Sequence, residues 1–301
     1  MIPIIAGIII VIAIALALAN LEEDQITQNQ TSNSKTVFWQ HIHGLGFDPA
    51  DRTILYIATH GDFYQSANRS SPIKVDQHRT DYMAFNAPTN PGYPLYASGH
   101  PDTGGNAGLI QSTDGGKTWQ LVSKVSEPPV DFHAMSVSKT NPQIIIGFDS
   151  GKQKLFKTQD GGSSWQILET PPGISSIAIS PLDSELVMVG TSKGLFKSID
   201  GGNSWVKINS YENLKVFAVA FDEDNQLFGS VETFGIVGSS DLGDSWNALG
   251  NVSLTVTSIA PDSQNNTIYL GGYSPDGYQE VYKFSYDLKE SELIGTNQEI
   301  D

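Results

Sequence analysis

The sequence predicts an all-β chain: a single β-propeller of six four-stranded blades, with a seventh left open, behind an N-terminal apolar helix. Three observations predict it. An eight-residue turn motif recurs at blade spacing, an inner-strand pattern recurs six times, and 301 residues suit one large β domain.

The turn motif comes first. Ser112–Trp119, Thr158–Trp165, Ser198–Trp205 and Ser239–Trp246 align without gaps as hydroxyl-x-Asp-x-Gly-x-hydroxyl-Trp. Their aspartates Asp114, Asp160, Asp200 and Asp241 lie 46, 40 and 41 residues apart. A period near forty is that of a four-stranded blade. The motif reads as a hairpin turn between third and fourth strands. Its Asp accepts hydrogen bonds from turn amides, its Gly takes positive φ, and its Trp packs beneath the turn. Asp114, Asp160, Asp200 and Asp241, with Trp119, Trp165, Trp205 and Trp246, are therefore structural.

The inner strands follow. His43–Asp48, Asp81–Asn86, His133–Ser138, Ser175–Ser180, Phe217–Asp222 and Thr257–Asp262 share one apolar alternation, and each opens a blade. A strand over Val37–Gln40, holding the fifth tryptophan Trp39, is expected to pair with the last blade and close the ring.

Four segments result. Residues 1–19 are apolar throughout and about long enough to cross a hydrocarbon layer of ~30 Å. They read as a signal peptide or a membrane anchor, and either places the remainder outside the cytoplasm. Residues 20–36 form a polar linker, residues 37–293 the propeller, and residues 294–301 an acidic tail.

The formal net charge of -16 lacks the basic footprint that nucleic-acid binding requires. With no cysteine, disulfides, thiolate metal sites and thiol nucleophiles are excluded. The membrane is a partner only through an uncleaved N-terminal segment.

The turn motif resembles the Asp-box, or BNR repeat, carried by sialidases, several other glycoside hydrolases, the sortilin luminal domain and a photosystem II assembly factor. His41–Pro49 followed by Tyr56–Gly61 further resembles the opening blade of exported bacterial and archaeal BNR proteins termed glycosyl hydrolase-like. The resemblance implies a propeller, and either a glycan-directed enzyme or a binding or assembly module. A sialidase needs three arginines on one carboxylate. This chain has Arg52, Arg69 and Arg79, with Arg52 in a turn on the Asp-box face, which argues against that activity.

Propeller connectivity sorts the remaining polar residues. Inner strands begin, and second strands end, on one face; the Asp-boxes lie on the other. Of six histidines, His41, His43 and His133 begin inner strands, and His60 and His100 end second strands. All five belong to blades one to three; His78 lies elsewhere. Asp81 occupies the position equivalent to His43, Asp131 precedes His133 by two, and Asp102 and Asp149 follow second strands. Imidazoles and carboxylates converging on one mouth suit a divalent metal ion or a small polar ligand. They also suit acid–base chemistry. The metal- or ligand-binding candidates are His41, His43, His60, His100, His133 and Asp81. Were the chain an enzyme of glycoside hydrolase type, Asp81 and Asp131 would be its acid and base. A scaffold for a protein partner is the third reading. Thr103–Gly108 is expected to form a loop at the rim of the mouth.

Overall fold

The computed structural model describes residues 36–76 and 78–299. The expected apolar helix and most of the polar linker lie outside the described residues. Among those described, no helix is long and apolar enough to cross a membrane.

Six four-stranded antiparallel sheets are present, each in simple sequence order, so the blade count is six. Blade one comprises β1 (Ile42–Phe47), β2 (Ile54–Thr59), β3 (Phe63–Ala67) and β4 (Ile73–Lys74). Blade two holds β5 (Thr80–Asn86), β6 (Leu95–Pro101), β7 (Leu109–Ser112) and β8 (Gln120–Ser123). Blade three holds β9 (Phe132–Val137), β10 (Ile145–Asp149), β11 (Lys154–Thr158) and β12 (Gln166–Leu168). Blade four holds β13 (Ile174–Ile179), β14 (Val187–Thr191), β15 (Gly194–Ser198) and β16 (Val206–Lys207). Blade five holds β17 (Val216–Phe221), β18 (Leu227–Val231), β19 (Gly235–Ser239) and β20 (Asn247–Gly250). Blade six holds β21 (Thr255–Asp262), β22 (Thr267–Tyr273), β23 (Gln279–Ser285) and β24 (Ser291–Thr296).

Each blade buries both faces, because successive residues of a strand point to opposite sides. In β2, Leu55 and Ile57 pack with Ala260 and Tyr269 of blade six, while Tyr56 and Ala58 pack with Tyr82 and Phe85 of blade two. The same division recurs round the ring, giving one apolar cluster per interface between neighbouring blades.

The ring closes at blade six. Thr36 bridges Thr296 in parallel, and the Val37 amide donates to the Thr296 carbonyl at 2.7 Å. Buried Trp39 donates its indole N–H to the Gln279 carbonyl at 3.0 Å. The propeller runs past the expected boundary at residue 293: β24 continues to Thr296, and Ile294 is fully buried at the closure. The acidic composition of that stretch masks one apolar side chain in register with the core.

The boxes form as expected. Asp200 accepts from the Ser198 hydroxyl at 2.8 Å, the Ser204 amide at 2.9 Å and the Ser204 hydroxyl at 2.6 Å. The other three boxes repeat this pattern. Gly116 shows why the second glycine is needed. At φ +85°, an added Cβ would lie 2.2 Å from Phe63 of the preceding blade. Trp119 fills the space beside it, its ring 5.4 Å from Phe63 and 5.1 Å from Tyr82. Trp205 departs from its equivalents by donating to the Glu169 carbonyl of the preceding blade at 3.0 Å. Blade six keeps a reduced box, in which the Ser285 hydroxyl donates to Asp287 at 2.7 Å.

An axial cavity of about 180 Å³ runs between the inner strands. Side chains from four blades span its Asp-box end. Arg52 contacts Glu223 at 2.9 Å and Asp262 at 3.1 Å, and lies over the Phe47 ring at 4.7 Å. Lys139 donates to the Phe221 carbonyl at 2.9 Å. Burial holds its ammonium pKa below the ordinary lysine value, against the opposing charge of Glu223.

Hydrogen bonds from Ser164, Ser204 and Ser245 hold Asp160, Asp200 and Asp241 at about 2, below the ordinary 3.8. A carboxyl with a depressed folded pKa contributes stability that is full above its unfolded pKa and lost as pH falls through its folded one. The stability difference between wild type and Asp200→Asn is therefore expected to be constant above about pH 4 and to vanish towards pH 2. Thermal unfolding of both proteins across that range tests this; a difference that persists undiminished to pH 2 would contradict it.

Candidate functional site

The histidines and aspartates sit where strands meet one mouth of the cavity. His43 and Asp81 are the second residues of β1 and β5, and His133 is the second residue of β9. His60 follows β2 directly, and its amide donates to the His41 carbonyl at 2.9 Å. His100 is the penultimate residue of β6, and Asp131 immediately precedes β9. Antiparallel pairing brings the start of each inner strand beside the end of the next strand, which groups these positions.

They assemble as two triads, each crossing a blade boundary. Asp81 of blade two reaches back to blade one, 3.1 Å from His43 Nε2 through Oδ1 and 3.0 Å from His60 Nδ1 through Oδ2. Asp131 of blade three offers Oδ2 to His133 Nε2 at 2.6 Å and to His100 Nε2 of blade two at 3.0 Å. Within each triad the donor atoms lie within 4.8 Å of one another. His41 is exposed, with its ring 6.4 Å from that of His43, and stands outside both triads.

Three buried atoms have no hydrogen-bond partner here: His43 Nε2, Asp81 Oδ1 and Asp131 Oδ1. The first two face each other at 3.1 Å as an ion-pair contact without forming a hydrogen bond. His100 lies between two oxygens: its Nδ1 is 3.2 Å from the Gly105 carbonyl oxygen, and its Nε2 is 3.0 Å from Asp131 Oδ2. A carbonyl on the far nitrogen is also the usual support of a metal-ligating imidazole.

Burial opposes ionisation of Asp81, but His43 and then His60 outweigh it and hold the carboxyl below its ordinary value. Burial likewise opposes ionisation of Asp131, and His133 and His100 overcome it. The Asp131 hydrogen bond raises the His133 pKa against the effect of burial, with further contributions from the charges of Asp81 and Asp149. A glycosidase general acid needs the opposite shift, so that it keeps its proton.

The other half of the mouth is different. Ser175 donates to backbone carbonyls, Lys215 lies over the Phe217 ring at 4.6 Å, and Thr257 approaches the Gly271 carbonyl at 3.5 Å. Asp149 is buried and held by Lys152, while Asp102 is exposed and its amide donates to the Arg79 carbonyl. Arg52 belongs to the far end of the cavity, and Arg69 pairs with Glu292 at 3.3 Å in an outer turn.

The known proteins that this chain resembles can now be considered. Residues 107–235 match the family model described as sortilin, neurotensin receptor 3. That stretch holds three of the four boxes. The chain is an Asp-box β-propeller. No curated protein matches the sequence. Among solved structures, a GH74 enzyme of Niastella koreensis shares 18% identity at a TM-score of 0.54. The match covers 71% of this chain and 37% of that enzyme. YCF48 from Cyanidioschyzon merolae shares 14% identity at 0.55, covering 83% and 97% of the two chains. XC5397 from Xanthomonas campestris, described as a gluconolactonase, shares 12% at 0.64, covering 86% and 88%. These likenesses concern the fold. The propeller spans less than half the length of the GH74 enzymes that it matches.

Sequence reading gave Asp131 only a catalytic role and missed Gly99. At φ +126°, an added Cβ on Gly99 would lie 1.8 Å from the Asp81 carbonyl oxygen. Gly99 thus permits the close β5–β6 approach that sets Asp81 beside His100. Its position one residue before His100 was the available signal. Gly99→Ala is expected to lower Tm by several degrees and to disturb both triads. Thermal unfolding together with the histidine ring resonances in an NMR spectrum checks this; unmoved His60 and His100 signals would contradict it.

Proposed function

We propose that this propeller is an extracytoplasmic binding module that holds a divalent transition-metal ion in its His/Asp mouth. The observation that carries the reading is the convergence within each triad, where two imidazole nitrogens and a carboxylate oxygen lie within 4.8 Å of one another. Ligands at about 2.1 Å round a tetrahedral ion stand about 3.4 Å apart, so small side-chain rotations close either triad on an ion. The donor set of nitrogen and oxygen suits zinc, copper or nickel better than calcium or magnesium. The unpartnered atoms of His43, Asp81 and Asp131 support the reading, since an ion would satisfy them. Placement outside the cytoplasm rests on the apolar stretch at residues 1–19.

The glycoside hydrolase alternative is less well supported. Both candidate carboxylates are engaged by two imidazoles each and are held ionised. GH74 enzymes lend the fold to this comparison, and their chemistry stays with them.

The test is equilibrium dialysis of metal-stripped protein against zinc, followed by elemental analysis and thermal unfolding. Zinc at one hundred times its dissociation constant is expected to add about 2.7 kcal/mol to the unfolding free energy. For a domain of this size that is a rise in Tm of about 5 °C or more. The double variant His43→Ala/His133→Ala is expected to lose both the bound metal and the rise. Wild-type protein that retains no zinc and gains no stability would sink the reading.

A further inference from the structure

The two triads adjoin. Asp81 of the first and His100 of the second are directly opposite residues in the β5–β6 ladder, which places their Cα atoms about 5 Å apart. His43 of the first triad and His133 of the second also line the same axial cavity. Two ions bound here would therefore be neighbours on one face, not separate sites on a ring.

Each triad supplies three protein ligands. A tetrahedral ion so held keeps one coordination position for a molecule from solution. His60 and His100 have side chains 51% and 43% exposed, so these positions are accessible from the mouth. Two divalent ions against two aspartates leave two positive charges in a chain of net charge -16. That local excess selects a dianion over a neutral ligand. A tetrahedral oxyanion presents oxygens in several directions, so it can reach both ions together.

We propose that the two triads act as one dinuclear centre, in which the adjoining Asp81 and His100 couple two metal ions that together bind a phosphate-type dianion. This rests on the metal reading above and adds stoichiometry, coupling and ligand class to it.

The experiment is a titration of metal-stripped full-length protein with cobalt(II), followed by visible absorption, without and with inorganic phosphate. Two ions per chain are expected. Repulsion between them should make the second bind about tenfold or more weakly than the first when phosphate is absent. Phosphate should tighten that second step by about tenfold or more, and by linkage the second ion should tighten phosphate equally. His60→Ala and His100→Ala remove exposed ligands, one from each triad. Each is expected to bind a single ion and to lose the phosphate effect. Two independent ions indifferent to phosphate, or one ion in the wild type, would overturn the dinuclear centre and leave the metal reading standing. So would a phosphate effect that survives in either variant. No bound cobalt at all would overturn both.

Discussion

Burial of both faces of every sheet is the constraint on which this molecule depends. A blade with one bare face would expose a stripe of Ile, Leu, Val and aromatic side chains. Blade one therefore needs blade six as much as it needs blade two. The cluster joining Leu55 and Ile57 to Ala260 and Tyr269 supplies that contact. The pairing of Thr36 and Val37 with Thr296 holds it shut. Trp39 and Gln279 reinforce the closure from beneath, with an additional bond from the Ile42 amide to the Gln279 side chain at 3.2 Å.

Once the ring is closed, the boxes set the spacing between its members. The second glycine of a box rests on the preceding blade, and its tryptophan wedges beneath the turn. Both devices lie on one face. The opposite face carries no such repeated turn, so its strand ends are free to differ from blade to blade. Equivalent positions there have diverged to His43, Asp81 and His133 on one side, and to Ser175, Phe217 and Thr257 on the other. The repeated face carries the fold, and the varied face gathers the imidazoles and carboxylates.

That division explains what could be read in the sequence. Box spacing is local and periodic, so the blades and their order were legible from Asp114, Asp160, Asp200 and Asp241. Strand connectivity then assigned five histidines to one face. What it could not give was which imidazole meets which carboxylate. Asp81 and Asp131 each lean across a blade boundary, and that lean depends on blade twist and side-chain rotamer. His41 shares its neighbours' strand end and stacks beside His43, yet it belongs to neither triad. The Arg52, Lys139, Glu223 and Asp262 cluster joins residues as far as 210 positions apart and follows no period. Ile294 shows the same limit at the C-terminal edge, where an acidic stretch hides a core residue.

A closed ring of six blades is by construction a pipe, open at both ends. Arg52 and Lys139, reaching across to blades five and six, narrow this one at its Asp-box end. The two ends of the axial cavity therefore differ in kind: ion pairs that keep about a fifth of their side-chain surface in contact with solvent cross one, and histidines border the other. A solute entering at the first meets fixed, mutually neutralised charges, and one entering at the second meets imidazoles.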